Sequence, residues 1–178
     1  MIAIRHLEGG DRNRLGQLLR RIPADDRNFL KEDVDDPDLI ERWLADVRNR
    51  WLLATADADA VGLVGVLPWI GRSAHVGELR LIVDPSRRRR GYGRQLAQAA
   101  LVDALELGLS HIFVEVAAEQ EALIAMFAAL GFEPEAVLRD FVHDQGGRSH
   151  DLVMLTHRVQ ELWSEMLTLG LDGEQAAG

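Results

Sequence analysis

The sequence predicts a mixed α/β domain of the α+β type, with a central, mostly antiparallel sheet and helices on both of its faces. Three observations carry this. Apolar runs of strand length alternate with segments of helical spacing along the chain. Two pairs of neighbouring runs are joined by short polar turns, Asp57-Ala58-Asp59 and Asp144-Gln145-Gly146-Gly147, each the signature of an antiparallel hairpin. The 178 residues contain no cysteine, and a chain of that length buries a sizeable core without disulfides or thiolate metal sites.

Residues 2–7 read as the first strand. Asp11 is placed to cap a helix running to about Arg21, with Leu15, Leu18 and Leu19 on its apolar face and Pro23 beyond its end. A long acidic connection follows, from Asp25 to Glu41, and holds the chain's only lysine, Lys31. A lysine outnumbered so heavily by arginine reflects genomic composition as much as function. Asp36-Pro37-Asp38 supplies an N-cap, a first-turn proline and a first-turn acid for a helix whose buried stripe is Leu39, Ile40, Trp43, Leu44 and Val47. Trp51–Thr55 and Val61–Leu67 form the first hairpin, residues 68–72 turn the chain, and His75–Val83 is the next strand.

The pairs Leu96/Ala97, Ala100/Leu101 and Ala104/Leu105 repeat every four residues and build one buried helix face, which stops at Gly108. Ile112–Val116 is a strand, a further helix closes on Leu130-Gly131-Phe132, and residues 137–142 and 149–155 form the second hairpin. A last helix is expected from about His157 to Leu169, with a frayed tail from Gly170.

Between the strand ending at Val83 and the helix after Gly93 lies Asp84-Pro85-Ser86-Arg87-Arg88-Arg89-Arg90-Gly91-Tyr92-Gly93-Arg94. Glycine permits positive φ and close approach, the helix N-terminus presents free N–H groups, and arginines add guanidinium donors. Such a segment cradles a multiply charged phosphate compound. A P-loop would need Lys and Ser/Thr after its last glycine, where this chain has Arg94 and Gln95. A dinucleotide fold gains from the Gly91/Gly93 spacing and from Glu115 as a ribose-binding acid, but Leu96 stands where its third glycine belongs.

Arg88-Arg89-Arg90-Gly91-Tyr92-Gly93 after Val83-Asp84-Pro85 resembles motif A of the GNAT (Gcn5-related N-acetyltransferase) family, (Gln/Arg)-x-x-Gly-x-(Gly/Ala), and Leu130-Gly131-Phe132 resembles the end of its motif B. The resemblance implies a single GNAT-like domain over residues 1–156 with a splayed sheet, followed by a C-terminal helix and tail at 157–178. It also implies an acetyl-CoA-dependent N-acetyltransferase. Arg88, Arg89, Arg90, Gly91, Tyr92, Gly93 and Arg94 would hold the pyrophosphate, the backbone of Leu81, Ile82 and Val83 would pair with the pantetheine arm, and Gln120 and Phe127 would line the cofactor site from motif B.

Direct acetyl transfer from a thioester needs a base for the amine and a donor for the oxyanion, the latter expected from a backbone N–H near Ile82 or Val83. Glu78 and Glu115 are the two candidate bases, Glu115 aligning with a glutamate that is the base in some relatives. Glu115 serves equally well as a local hydrogen-bond acceptor within the sheet. The family's motif B tyrosine, the usual acid, is Phe127 here, and the chain's only tyrosine, Tyr92, lies in the phosphate loop. That departure favours, as the alternative, a non-catalytic CoA- or acyl-CoA-binding regulatory module.

The expected acceptor is a small-molecule or peptide primary amine. The acidic segment reads first as a solvated face and only second as an attractor for that amine, with Phe29, Leu30 and Trp69 as apolar walls. RNA binding through Arg87 to Arg90 is a third reading, opposed by the net charge of −9. No histidine pair has ligand spacing on a helix face, so no metal site is expected. His150-Asp151 lies on a strand, where adjacent side chains point to opposite faces, so no dyad is expected there either. The N-terminus lacks a signal-peptide pattern, and uncharged runs such as residues 122–132 are too short to span a bilayer of ~30 Å. A cytoplasmic protein without membrane partners follows as the expectation, and exposed sheet edges allow a homodimer.

Overall fold

Residues 2–159 are described by the structure, a computed structural model. Among these residues seven strands form one sheet: β1 Ala3–His6, β2 Arg50–Ala56, β3 Asp59–Pro68, β4 Val76–Val83, β5 His111–Ala117, β6 Glu133–His143 and β7 Ser149–Arg158. Their spatial order is β1-β2-β3-β4-β5-β7-β6, and every neighbouring pair is antiparallel except β4–β5. The α-helices of the described residues are α1 Arg12–Arg20, α2 Ala24–Arg27, α3 Leu39–Ala45, α4 Tyr92–Glu106 and α5 Glu121–Ala128.

The helices cover both faces of the sheet, as expected. On one face Leu15 and Leu18 of α1 and Leu39 and Trp43 of α3 pack on Trp51, Leu53 and Leu63. On the other, Leu96, Ala100 and Ala104 of α4 and Phe127 of α5 pack on Leu52, Val64, Leu79 and Val114. Alternate residues of β2 thus enter different cores, and a strand buried on both faces reads as a continuous apolar run. Gly62 allows the closest approach of α4. A Cβ there would lie 2.6 Å from Leu96 Cδ1, so the bare backbone of β3 is what lets the first turns of α4 seat on the sheet.

The β2–β3 turn holds Asp57 and Ala58 at φ 52° and 70°, the doubly left-handed geometry of a two-residue hairpin. Asp11 does not cap α1 with its side chain. Its carboxylate instead takes a two-pronged bond from Arg5, 2.7 Å at each oxygen, and a bond from the Glu8 N–H. Helix α3 is shorter than its apolar spacing suggests: it ends at Ala45, and Val47 is 93% exposed. Asp36 acts there as a turn former, accepting from the Asp38 N–H. Strand β6 begins at Glu133, before the expected start at 137.

The first helical residue of the expected last helix is Val159, two residues past its expected start near His157. His157 and Arg158 extend β7, where they pair with Ile112 and His111, so the strand crosses the proposed boundary between residues 156 and 157. The remainder of that helix, from 160, and the expected tail lie outside the described residues. Among the described residues no helix is long and apolar enough to cross a membrane.

Candidate active site

The parallel strands β4 and β5 pair only at Val76–His111, Gly77–Ile112 and Glu78–Phe113. Beyond that point each follows its other neighbour: β4 stays registered on β3 out to Val83, and β5 stays on β7 out to Ala117. The sheet therefore splays, and among the described residues the β5-facing edge of Leu79 to Val83 has no strand partner. Backbone amides along a half-buried edge need partners, so this edge is a ready template for an extended, hydrogen-bonding ligand. A cavity of about 700 Å³ occupies the splay, bordered by Leu81, Ile82 and Val83 on one side and by Gln120, Leu123 and Met126 on the other.

One end of the cavity is built for an anion. Gly91 sits at φ 79°, a conformation that side-chain-bearing residues avoid, and turns the chain into α4. The helix ladder opens with Gln95 N–H donating to Gly91 C=O at 3.1 Å, so the amides of Tyr92, Gly93 and Arg94 are the first-turn donors left over. No acid stands in that turn. A Cβ at Gly93 would lie 3.4 Å from both Met126 Sδ and Val83 Cγ2, so glycine keeps the cleft open where its walls come closest. The donor set and the open strand edge suit a pyrophosphate with a long amide-bearing arm.

Asp84 fixes this loop. Its carboxylate is 3% exposed and accepts from Ser86 N–H at 2.9 Å, Ser86 Oγ at 2.7 Å and Arg21 Nε at 2.7 Å. Burial pushes the Asp84 carboxyl up, but the Ser86 donors and Arg21 outweigh it and hold the group below its ordinary value. Of the arginine run, Arg87, Arg88 and Arg89 border the cavity together with Arg94, whereas Arg90 is exposed and stands outside its wall. Arg88 reaches across to Asp26 at 2.9 Å.

Two carboxylates meet at the base of the splay. Glu78 is the last paired residue of β4, and Glu115 lies two residues past the corresponding point on β5. Lys31, from the acidic connection, places Nζ 2.7 Å from Glu78 Oε1 and 2.5 Å from Glu115 Oε2. Arg80 grips Glu78 with Nε and Nη2, both at 3.0 Å, and its remaining Nη1 donates to Glu32. Burial pushes the Glu78 carboxyl up, yet the Arg80 fork and Lys31 more than offset it, and the group stays below its ordinary value. Glu78 is thus held ionised. Glu115, whose side chain is 14% exposed, faces the same ammonium without the guanidinium fork.

Both candidate bases are therefore brought together, and all but one of the candidate cofactor residues border one cavity. Phe127 borders it from within the core: it is fully buried and meets Phe132 edge to face at 5.0 Å. Phe29 and Leu30 are cavity walls, but Trp69 is not. Its ring is half exposed and packs against Phe113 at 5.3 Å. Sequence reasoning missed Lys31, Arg80, Trp43 and Trp51 as site residues, whereas Glu32 belongs to the acidic segment expected at the mouth of the site. The signal for Lys31 was its singularity, and that for Arg80 its place two residues from Glu78 on one strand face; nothing in the spacing marked Trp43 and Trp51, which arrive from α3 and β2.

A second polar cluster closes the far rim. His150 is buried, with Nδ1 2.7 Å from Glu119 and Nε2 3.2 Å from Asp144, and Phe29 lies edge-on to its ring. Asp151 turns the other way and accepts from Asp140 N–H, so the two form no dyad. The Glu119 contact, then Asp144, raise the His150 imidazole above its ordinary value, against burial. A raised folded value means the stabilisation is fully present below the unfolded value, near ~6.5, and is lost as pH rises through the folded one. The melting-temperature gap between wild type and His150→Gln is expected to be widest in mildly acidic buffer and to shrink as pH rises; a pH-independent gap would contradict this.

With this geometry in view, the likeness to known proteins is specific. The family model described as Acetyltransferase (GNAT) family matches residues 16–132. The curated [Ribosomal protein bS18]-alanine N-acetyltransferase of Escherichia coli K12 is 35% identical over 75 residues, 42% of this chain and 50% of that protein. The chain thus spans about half the length of that relative. Among solved structures, the ribosomal-protein-alanine N-acetyltransferase of Brucella melitensis superposes with a TM-score of 0.77 at 23% identity, covering 88% of this chain and 99% of that one. An N-acetyltransferase of Staphylococcus aureus Mu50 gives 0.77 at 16% identity, covering 89% and 99%. These two likenesses show a shared fold.

Proposed function

The chain belongs to the GNAT acetyltransferase family, and on that premise we propose that it transfers an acetyl group directly from acetyl-CoA to the primary amine of a small molecule or peptide. The observation that carries this is the pair Glu78 and Glu115 holding an ammonium at the base of a splay whose other end is an anion cradle. Acetyl-CoA supplies the activated acyl thioester. The amides of Tyr92, Gly93 and Arg94, with Arg88 and Arg89, bind its pyrophosphate, and the free edge of Leu81 to Val83 aligns its amide-bearing arm.

Glu115 takes the proton of the acceptor ammonium. Glu78, kept ionised by Arg80, holds the cation in place until that transfer. A backbone N–H near Ile82 or Val83 donates to the developing oxyanion. Phe127 gives no proton, and none is required: a thiol of pKa about 8.5 leaves tolerably as thiolate near neutral pH. The name of the Escherichia coli relative points to an alanine amine on a protein, and here that makes an Ala-initiated peptide one candidate acceptor.

The test is acetyl-CoA consumption by the purified chain against alkyl amines, polyamines, lysine peptides and Ala-initiated peptides. Turnover on one class names the acceptor. Binding of acetyl-CoA with no turnover on any class would overturn the reading in favour of a non-catalytic CoA-binding module.

A further inference from the structure

The ammonium already held by Glu78 and Glu115 belongs to the chain itself. Lys31 is the only lysine among 178 residues, every other fixed side-chain cation being arginine. Ion pairs elsewhere in the described residues are made by arginine guanidinium groups or by histidine. An arginine would bridge two carboxylates at least as well as a lysine, because its planar fork matches their geometry. Lysine differs in one respect that matters here: once it loses a proton it is a strong amine nucleophile, whereas a guanidinium keeps its charge. The side chain with acceptor chemistry thus lies with Nζ 2.5 Å from the candidate base, within the distance at which a general base removes a proton.

We infer that Lys31 is an internal acceptor, and that the chain acetylates its own Lys31 Nζ in cis. The inference rests on the acetyltransferase reading above and names its acceptor class, a primary alkylammonium presented between Glu78 and Glu115. In the step, Nζ gives one proton to the Glu115 carboxylate, and the freed lone pair forms the N–C bond to the thioester carbonyl carbon. The C–S bond breaks with its electron pair leaving on the CoA sulfur. A second proton passes from nitrogen to that thiolate, and the third stays on the amide. Glu115 ends protonated, CoA ends as the free thiol, and the charge that clasped both carboxylates is gone. Glu78 keeps Arg80 as partner. Glu115 loses the ammonium that faced it.

The experiment incubates the full chain with isotopically labelled acetyl-CoA and follows the protein by intact mass and peptide mapping. Calorimetry with acetyl-CoA and turnover on the amine panel are run on the same preparation. One label on Lys31 is expected, with a first-order rate constant unchanged on about tenfold dilution of the protein, as an intramolecular reaction requires. The rate should fall by about 10²-fold or more in Glu115→Gln. Lys31→Arg should take no label at that position. An amine-reactive acetylating reagent that needs no base supplies the control, and should label Lys31 in Glu115→Gln as well as in wild type.

Acetyl-CoA binding and amine turnover with Lys31 unlabelled would overturn the inference and leave the acetyltransferase reading standing. Labelling that scales with protein concentration, or proceeds undiminished in Glu115→Gln, would also overturn it. Failure to bind acetyl-CoA would remove both.

Discussion

Glu115→Gln is expected to lower kcat for the acceptor amine by about 10²- to 10⁴-fold, the usual contribution of a positioned base, with acetyl-CoA affinity unchanged. The substitution keeps shape and removes only proton acceptance. It leaves the anion cradle at Gly91 to Arg94 untouched, at the opposite end of the cavity. Lys31 would retain Glu78 at 2.7 Å, so the fold around the site should persist. Steady-state kinetics with calorimetric titration separates the two effects. A kcat equal to wild type would remove Glu115 from the base role. Glu78 would not replace it: Arg80 and Lys31 hold that carboxyl below its ordinary value and make it a poorer proton acceptor.

Phe127→Ala is expected to cost about 3–5 kcal/mol of stability, the range for emptying a fully buried phenylalanine site. The ring has no exposure, and it ties α5 to the core through its edge-to-face contact with Phe132. Leu123 and Met126 of the same helix form one wall of the cavity, so loosening α5 should also weaken acetyl-CoA binding. Chemical denaturation of both proteins measures the first effect and calorimetry the second. A loss below about 1 kcal/mol would mean that the site collapses around the smaller side chain.

The proposed cofactor end of the site was legible in the sequence because it is local. The strand, Asp84-Pro85, the arginine run, Gly91 and Gly93 are contiguous, and each residue acts through backbone conformation or through a charge fixed by its neighbours. The order of elements was legible for the same reason, through hairpin turns and helical spacing. The carboxylate end was only half legible. Glu78 and Glu115 could be nominated from their strands, and Arg80 shares the face of Glu78 by the two-residue strand period, but Lys31 and Glu32 reach them from a loop, and no period in the sequence encodes that meeting.

Errors arose where apolar spacing continued past a backbone stop. Val47 keeps helical register with Trp43, but the helix ends at Ala45 and Asp46 turns to extended geometry, leaving Val47 in solvent. The last helix was expected from about His157 on its apolar spacing, but β7 runs on through Arg158 because His157 pairs with Ile112 and Arg158 with His111, a long-range pairing that no local spacing shows. Asp11 stood where a cap belongs, but a nearby guanidinium competed for its carboxylate and won.

The central claim is that the splay between β4 and β5 receives acetyl-CoA with its pyrophosphate on the first turn of α4. Calorimetric titration of wild type and Gly91→Val with acetyl-CoA tests it most directly. Gly91 holds φ at 79°, where a side-chain-bearing residue costs about 1–2 kcal/mol and a β-branched one is a sharper misfit. The account predicts one binding site in wild type and an affinity lower by about tenfold or more in the variant. No binding by wild type, or equal affinity in the two proteins, would contradict it.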